Sequence, residues 1–191
     1  TPPSDRQSSP TLPTGQWLTP AGRSIEIGEF PTGLSLSPDG RTLLAVNSGY
    51  SEHTIALVNV ERQQLLRSQL VRKTWLGGVW GPYGDYLFIS GGNDDKIYRF
   101  GVSGDSVWFL HSTELKLDDQ QTFISPTGLS ISADGDRLYA ASRITPVLFQ
   151  INAFDNIVLR TLRFPSPLYT CLLDEPRKKV YVSEWGAGKI A

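Results

Sequence analysis

Residues 31–40 read Pro31-Thr32-Gly33-Leu34-Ser35-Leu36-Ser37-Pro38-Asp39-Gly40, and residues 126–135 read Pro126-Thr127-Gly128-Leu129-Ser130-Ile131-Ser132-Ala133-Asp134-Gly135. A chain that writes nearly the same decamer twice, 95 positions apart, is built from repeats. Within the decamer, Leu34-Ser35-Leu36-Ser37 alternates with period two, as a strand does when one face packs and the other meets polar surroundings. Ser-Pro-Asp-Gly then turns the chain, with proline presetting φ and glycine accepting a positive φ.

Between the two copies lies Leu76-Gly77-Gly78-Val79-Trp80-Gly81-Pro82-Tyr83-Gly84-Asp85, and a more worn copy follows at Pro167 to Pro176. Anchored on Gly33, Gly78, Gly128 and Tyr169, the steps are 45, 50 and 41 residues. Periods of this length belong to propeller blades or helical solenoids. The first repeat divides into runs rich in β-branched and aromatic residues at 33–37, 42–47, 54–60 and 65–71, bounded by Gly, Pro, Asn and Asp. The sole helix-like stretch, Val60 to Leu66, is too short for a solenoid helix. The expected fold is therefore all-β: a β-propeller of four-stranded blades at about 31–71, 76–115, 126–164 and 168–191. The fourth blade is incomplete, and the inner strands of the four blades are expected near 33–37, 77–80, 127–131 and 168–173.

Composition excludes several functions. The 191 residues carry 18 basic and 19 acidic side chains, a net charge of −1, with no basic stripe for nucleic acid. No apolar run approaches the roughly 20 residues of a membrane-spanning helix. Cys171 is the single cysteine and sits in the apolar run Leu168 to Leu173, where a buried small hydrophobe is expected. Residues 1–20 hold five prolines among serines and threonines and read as a leader or linker, of the kind that follows a removed secretory signal. Residues 22–28 read as the outer strand of a blade whose other strands are not in this sequence. The expectation is thus a fragment, with Arg23 to Gly28 unpaired or paired off-register and apolar side chains exposed on the flank of the fourth blade.

Val180-Tyr181-Val182-Ser183-Glu184-Trp185-Gly186 resembles the signature of the YVTN-repeat β-propellers, and Pro31-Thr32-Gly33-Leu34 with Ser37-Pro38-Asp39-Gly40-Arg41 resembles the blade opening of that family. WD40 repeats match less well because no Trp-Asp pair closes a blade. Leu18-Thr19-Pro20-Ala21-Gly22-Arg23 and Ser90-Gly91-Gly92-Asn93-Asp94 are similar to exported bacterial proteins in which such a propeller precedes an alkaline-phosphatase-like phosphoesterase domain. The resemblance implies a seven-bladed propeller, about half of it present, and a periplasmic or secreted setting. The phosphoesterase half is not in this sequence.

In a four-stranded meander, the connections from second to third strand and from the outer strand to the next blade share one face, where propellers usually bind. Those connections are Asn47–Thr54, Gly91–Asp95, Ser142–Thr145, Ser183–Gly188, Arg72–Trp75 and Asp118–Ser125. Together they gather Tyr50, Glu52, His53, Lys73, Trp75, Asn93, Asp94, Asp95, Arg143, Glu184 and Trp185 as candidate ligand-binding residues.

Turn chemistry alone accounts for Gly91 to Asp95, a solvated loop for His53, and packing between blades for Trp75 and Trp185. The alternative is a site. Asp94, Asp95 and Glu52 are the residues that could supply oxygen ligands to a divalent cation, although the fixed spacing of a calcium loop is missing. No catalytic residue can be assigned, because two histidines cannot furnish the metal cluster of a phosphatase. A lactonase-like hydrolase propeller, needing a few carboxylates and an amide around a cation, would use Glu52, Asn93, Asp94 and Glu184. The reading preferred from the sequence is an interaction module that docks a protein partner or a downstream domain of the same parent, with Trp75, Trp80 and Trp185 as anchors.

Overall fold

A computed structural model describes residues 13–16, 22–117 and 122–191. The stretch 1–20 lies outside the described residues apart from 13–16, as do residues 118–121 of the connection that ends at Ser125.

The strands form four antiparallel sheets, each a simple meander. The first holds β1 (Pro31–Leu36), β2 (Thr42–Ser48), β3 (His53–Asn59) and β4 (Gln64–Leu70). The second holds β5 (Gly78–Trp80), β6 (Tyr86–Ser90), β7 (Lys96–Ser103) and β8 (Ser106–Glu114). The third holds β9 (Pro126–Ile131), β10 (Arg137–Ser142), β11 (Val147–Asn152) and β12 (Val158–Arg163). The fourth has three strands, β13 (Cys171–Asp174), β14 (Lys179–Glu184) and β15 (Lys189–Ile190). The first strands β1, β5, β9 and β13 are neighbours in series, so the sheets stack face to face around an inner edge as propeller blades do.

Three apolar layers hold the stack. Leu44, Val46, Ile55 and Leu57 of the first blade meet Leu87, Ile89, Tyr98 and Phe100 of the second. Phe88 and Ile97 meet Leu138, Phe149 and Ile151 of the third. Tyr139, Ala141 and Leu148 meet Leu168, Cys171 and Val182 of the fourth. Each fully buried leucine, isoleucine or phenylalanine contributes roughly 1.5–3 kcal/mol. Middle strands are covered on both faces, which explains why β2 and β3 carry alanine (Ala45, Ala56) beside the larger residues. Cys171 is buried as expected, and desolvation pushes its thiol up to about 12.

The repeated decamer has a mechanical reason. A Cβ on Gly33 would stand 2.1 Å from the carbonyl oxygen of Leu76, one on Gly77 would stand 2.0 Å from that of Thr127, and one on Gly128 would stand 2.3 Å from the hydroxyl of Thr170. The glycine is where each blade's first strand lets the next blade's entering chain pass. This corrects the repeat anchors: the structural equivalents are Gly33, Gly77, Gly128 and Cys171, rather than Gly78 and Tyr169. The fourth inner strand accordingly begins at Cys171, not Leu168.

The threonine before the glycine staples blades together. Thr32 donates to the carbonyl of Trp75 at 2.9 Å, and Thr127 donates to that of Tyr169. In the turn, Asp39 Oδ1 accepts from Ser37 Oγ and the Arg41 amide while Ser37 Oγ accepts from the Thr42 amide; Ser132, Asp134, Asp136 and Arg137 repeat the pattern. Gly40 and Gly135 close the two turns at φ of 73° and 80°.

Residues 22–28 form no strand, and the side-chain amide of Asn47 donates to the Ile27 carbonyl at 2.7 Å. Trp80, expected as a docking anchor, is instead buried at 6% exposure and donates its indole N–H to the Ser35 carbonyl at 3.1 Å, bridging the first two blades.

Candidate functional site

The face carrying the β2–β3 type and blade-to-blade connections holds one network drawn from three blades. Trp75 ends the connection from β4 to β5 and is anchored by its amide to the Ser90 carbonyl at 3.0 Å. Gly92, at φ 52°, brings its backbone under the tryptophan: a Cβ there would stand 3.2 Å from Trp75 Cβ. Arg143, from the β10–β11 turn, lies over the indole with its guanidinium carbon 4.7 Å from the ring centroid. It also donates Nη2 to Asn93 Oδ1 and Nε to Ser125 Oγ, both at 2.8 Å. Ser125 Oγ in turn donates to Asn93 Oδ1 at 3.2 Å.

Asp95, in the left-handed region at φ 53° after the short 3₁₀ turn Gly92–Asp94, accepts from the amides of Ile124 and Ser125 at 3.1 and 2.7 Å. Those two amides hold Ser125, itself at φ 53°, in the place from which it orients Arg143. A cation stacked on an indole and hydrogen-bonded twice is fixed in position before any ligand arrives.

A second cluster adjoins it. Asp94 accepts the phenol of Tyr98 and pairs with Arg72 Nε at 3.1 Å, leaving the arginine side chain 75% exposed. Burial first, and the Asp94 hydrogen bond second, raise the Tyr98 pKa, so the phenol stays a donor. Beneath lies His53, whose Nδ1 accepts the Thr74 amide at 3.0 Å, while the Thr74 hydroxyl donates to the Asn47 carbonyl at 2.8 Å. Partial burial, reinforced by the charge of Lys73, lowers the His53 pKa and keeps the ring neutral.

The candidate residues therefore divide. Trp75, Asn93, Asp95 and Arg143 form one network; Asp94 adjoins it beside Arg72, His53 is tied in through Thr74, and Lys73 is exposed on the same connection. Tyr50 and Glu52 stand apart: Tyr50 is 99% exposed against Phe30, with ring centroids 6.2 Å apart, and Glu52 is exposed. Glu184 is buried in the fourth blade and accepts the Ser166 hydroxyl at 2.7 Å, beside Trp185, which lies edge-on to Tyr169 and is largely exposed. Among the described residues no three His, Cys, Asp or Glu side chains are grouped to hold a metal ion. The ligand set considered for a cation is not assembled: Asp94 and Asp95 are held by protein donors, and Glu52 and Glu184 belong to other clusters. Sequence reasoning missed Arg72, Thr74, Tyr98 and Ser125. Their role follows from neighbours on other blades, and the only local hint is the short Arg72–Trp75 connection.

No family model matches the chain, and no curated protein matches it. Solved structures do. The β-propeller domain of Cps50 (Swd1) from Myceliophteria thermophila is 15% identical with a TM-score of 0.67, covering 84% of this chain and 52% of that one. Kuenenia stuttgartiensis hydrazine synthase is 13% identical with a TM-score of 0.73, covering 93% and 61%. The periplasmic gluconolactonase PpgL of Pseudomonas aeruginosa is 14% identical with a TM-score of 0.55, covering 87% and 70%. The chain spans about half to three-fifths of the length of the first two. Such identities carry the fold and nothing finer: this chain is built of β-propeller blades.

Proposed function

We propose that the chain is a binding module that docks an acidic protein surface on the face carrying Trp75 and Arg143. The observation behind this reading is the prefixed Arg143, stacked on Trp75 and hydrogen-bonded to Asn93 and Ser125 across three blades. The carboxylates Asp94 and Asp95 already have partners within the protein, Asp94 in Arg72 and Asp95 in two backbone amides, whereas Lys73 remains exposed. The uncommitted charge is positive, so a partner offering Asp and Glu complements it.

The family reading places this module in a longer, exported YVTN-type protein with seven blades and a phosphoesterase domain, and that domain is the first partner to test. Extending the parent gene sequence past Ala191 tests this context: further blades followed by a His- and Asp-rich segment support it, and an unrelated continuation overturns it. Docking itself is tested by titrating this chain with the separately produced remainder of its parent. Arg143→Ala and Lys73→Glu should each weaken binding about tenfold, near 1.4 kcal/mol, while Tyr83→Ser, on the opposite face, should not. Equal affinity for all variants would overturn the assignment of the face.

A further inference from the structure

A groove on the rim between the first two blades runs down from the Asp94–Arg72–Tyr98 cluster and includes neither Trp75 nor Arg143. It encloses about 350 Å³ and is walled by Leu70 and Arg72 of the first blade and by Lys96, Tyr98, Phe100 and Phe109 of the second. Lys96, Tyr98 and Phe100 are alternate residues of β7 and so line one face, over a length of roughly 13 Å at 3.3 Å per residue. The walls β4 and β8 are the outer strands of their sheets, so the groove opens along the rim.

Its chemistry is graded from end to end. At the lower end Phe109 packs edge-on to Phe100 at 5.9 Å and is still 56% exposed. At the upper end stand Lys96, Leu70, which is 60% exposed, and Arg72, which is already paired with Asp94 at 3.1 Å. The residue facing Lys96 across the ladder, Glu114, is engaged by Lys116 at 3.1 Å, and among the described residues Lys96 has no carboxylate partner. The exposed Phe109 at one end, with Leu70 and Lys96, a cation without a carboxylate partner among the described residues, at the other, form an amphipathic slot. Isolated exposed apolar residues need no explanation, but a lined concavity with a charge at one end does.

We propose that this groove binds an extended peptide segment of a partner protein, placing an apolar side chain against Phe109 and an acidic residue, about four positions away, on Lys96. An extended segment fits because the slot follows a strand, and an acidic one fits because its end is cationic.

The probe is fluorescein-labelled acetyl-Phe-Thr-Leu-Asp-Glu amide, compared by anisotropy with the same peptide ending in Lys-Lys. The acidic probe should bind the 191-residue chain saturably and lose about tenfold in affinity with Lys96→Glu and again with Phe109→Ser. The Lys-Lys probe should gain on Lys96→Glu, a charge-swap rescue that loss of folding cannot produce. Lys96→Gln serves as a milder variant, with circular dichroism confirming the fold. Tyr83→Ser, on the opposite face, should leave the acidic probe's affinity unchanged, which separates a specific site from a general effect of surface substitution. The proposal is overturned by equal binding of the two probes, by acidic binding indifferent to Lys96→Glu, or by no saturable binding up to about 1 mM. Self-association that Phe109→Ser abolishes, without peptide binding, would also overturn it and assign the groove to a second copy of the chain.

Discussion

Gly33, Gly77 and Gly128 are required by space rather than by φ, since each faces an oxygen of the following blade within 2.0–2.3 Å of where a Cβ would lie. Alanine at any of them must push two blades apart. Gly77→Ala should destabilise by about 3 kcal/mol or more, as strong overpacking does. Gly104→Ala, at φ 60° with open space around it, should cost only about 1 kcal/mol from backbone strain. Urea denaturation of the two variants compares these directly, and equal losses would contradict the spacing account. His53 makes a second test at this scale. Its pKa is lowered in the folded state, so the unfolded chain binds its proton more readily; stability is present above the ordinary histidine value near 6.5 and is lost as pH falls toward the folded value. Melting temperature should therefore drop between about pH 7 and pH 5, and His53→Gln should flatten that part of the profile. A profile unchanged by the substitution would show that other groups carry the dependence.

At the scale of elements, the connections do more than turn. Thr32 and Thr127 reach across to the next blade's entry, and Thr127→Val keeps the shape while removing the donor, so a loss of about 1–2 kcal/mol is expected in chemical denaturation. Arg143→Lys should cost about 1 kcal/mol despite conserving charge, because an ammonium cannot stack on Trp75 and serve Asn93 and Ser125 together. Arg143→Lys melting like the wild type would show the network to be ornamental to stability. The blades were legible in the sequence because strand alternation and Ser-Pro-Asp-Gly turns are local: β2 and β3 fall within a residue of their expected bounds. The registration of the second and fourth repeats was not, because Gly77 and Gly78 are adjacent and only the approach of Thr127 distinguishes them. Likewise the loop face could be assigned from meander topology. Which of its residues meet could not, since the Arg143–Asn93 bond spans 50 residues and the Asp95–Ser125 bond 30.

For the whole molecule, two sheet flanks and one loop face set how the chain meets its surroundings. Leu34 and Leu36 on the first blade, and Leu172 and Ile190 on the fourth, are each more than half exposed. The isolated 191-residue chain should self-associate through such surfaces, and Leu36→Asp combined with Leu172→Asp should shift it toward monomer in sedimentation velocity. An unmodified chain that sediments as a monomer at all concentrations would contradict this. The loop face is different, since Arg143 is held in place by Trp75, Asn93 and Ser125 rather than left over from an open sheet. Hydroxyl-radical footprinting of this chain alone and with a saturating acidic protein partner tests the docking claim most directly. Trp75 and Lys73 should become protected in the complex, while Tyr83 on the opposite face and Trp108 on the outer strand β8 keep their reactivity. Unchanged labelling of Trp75, or protection of Tyr83 in its place, would contradict it.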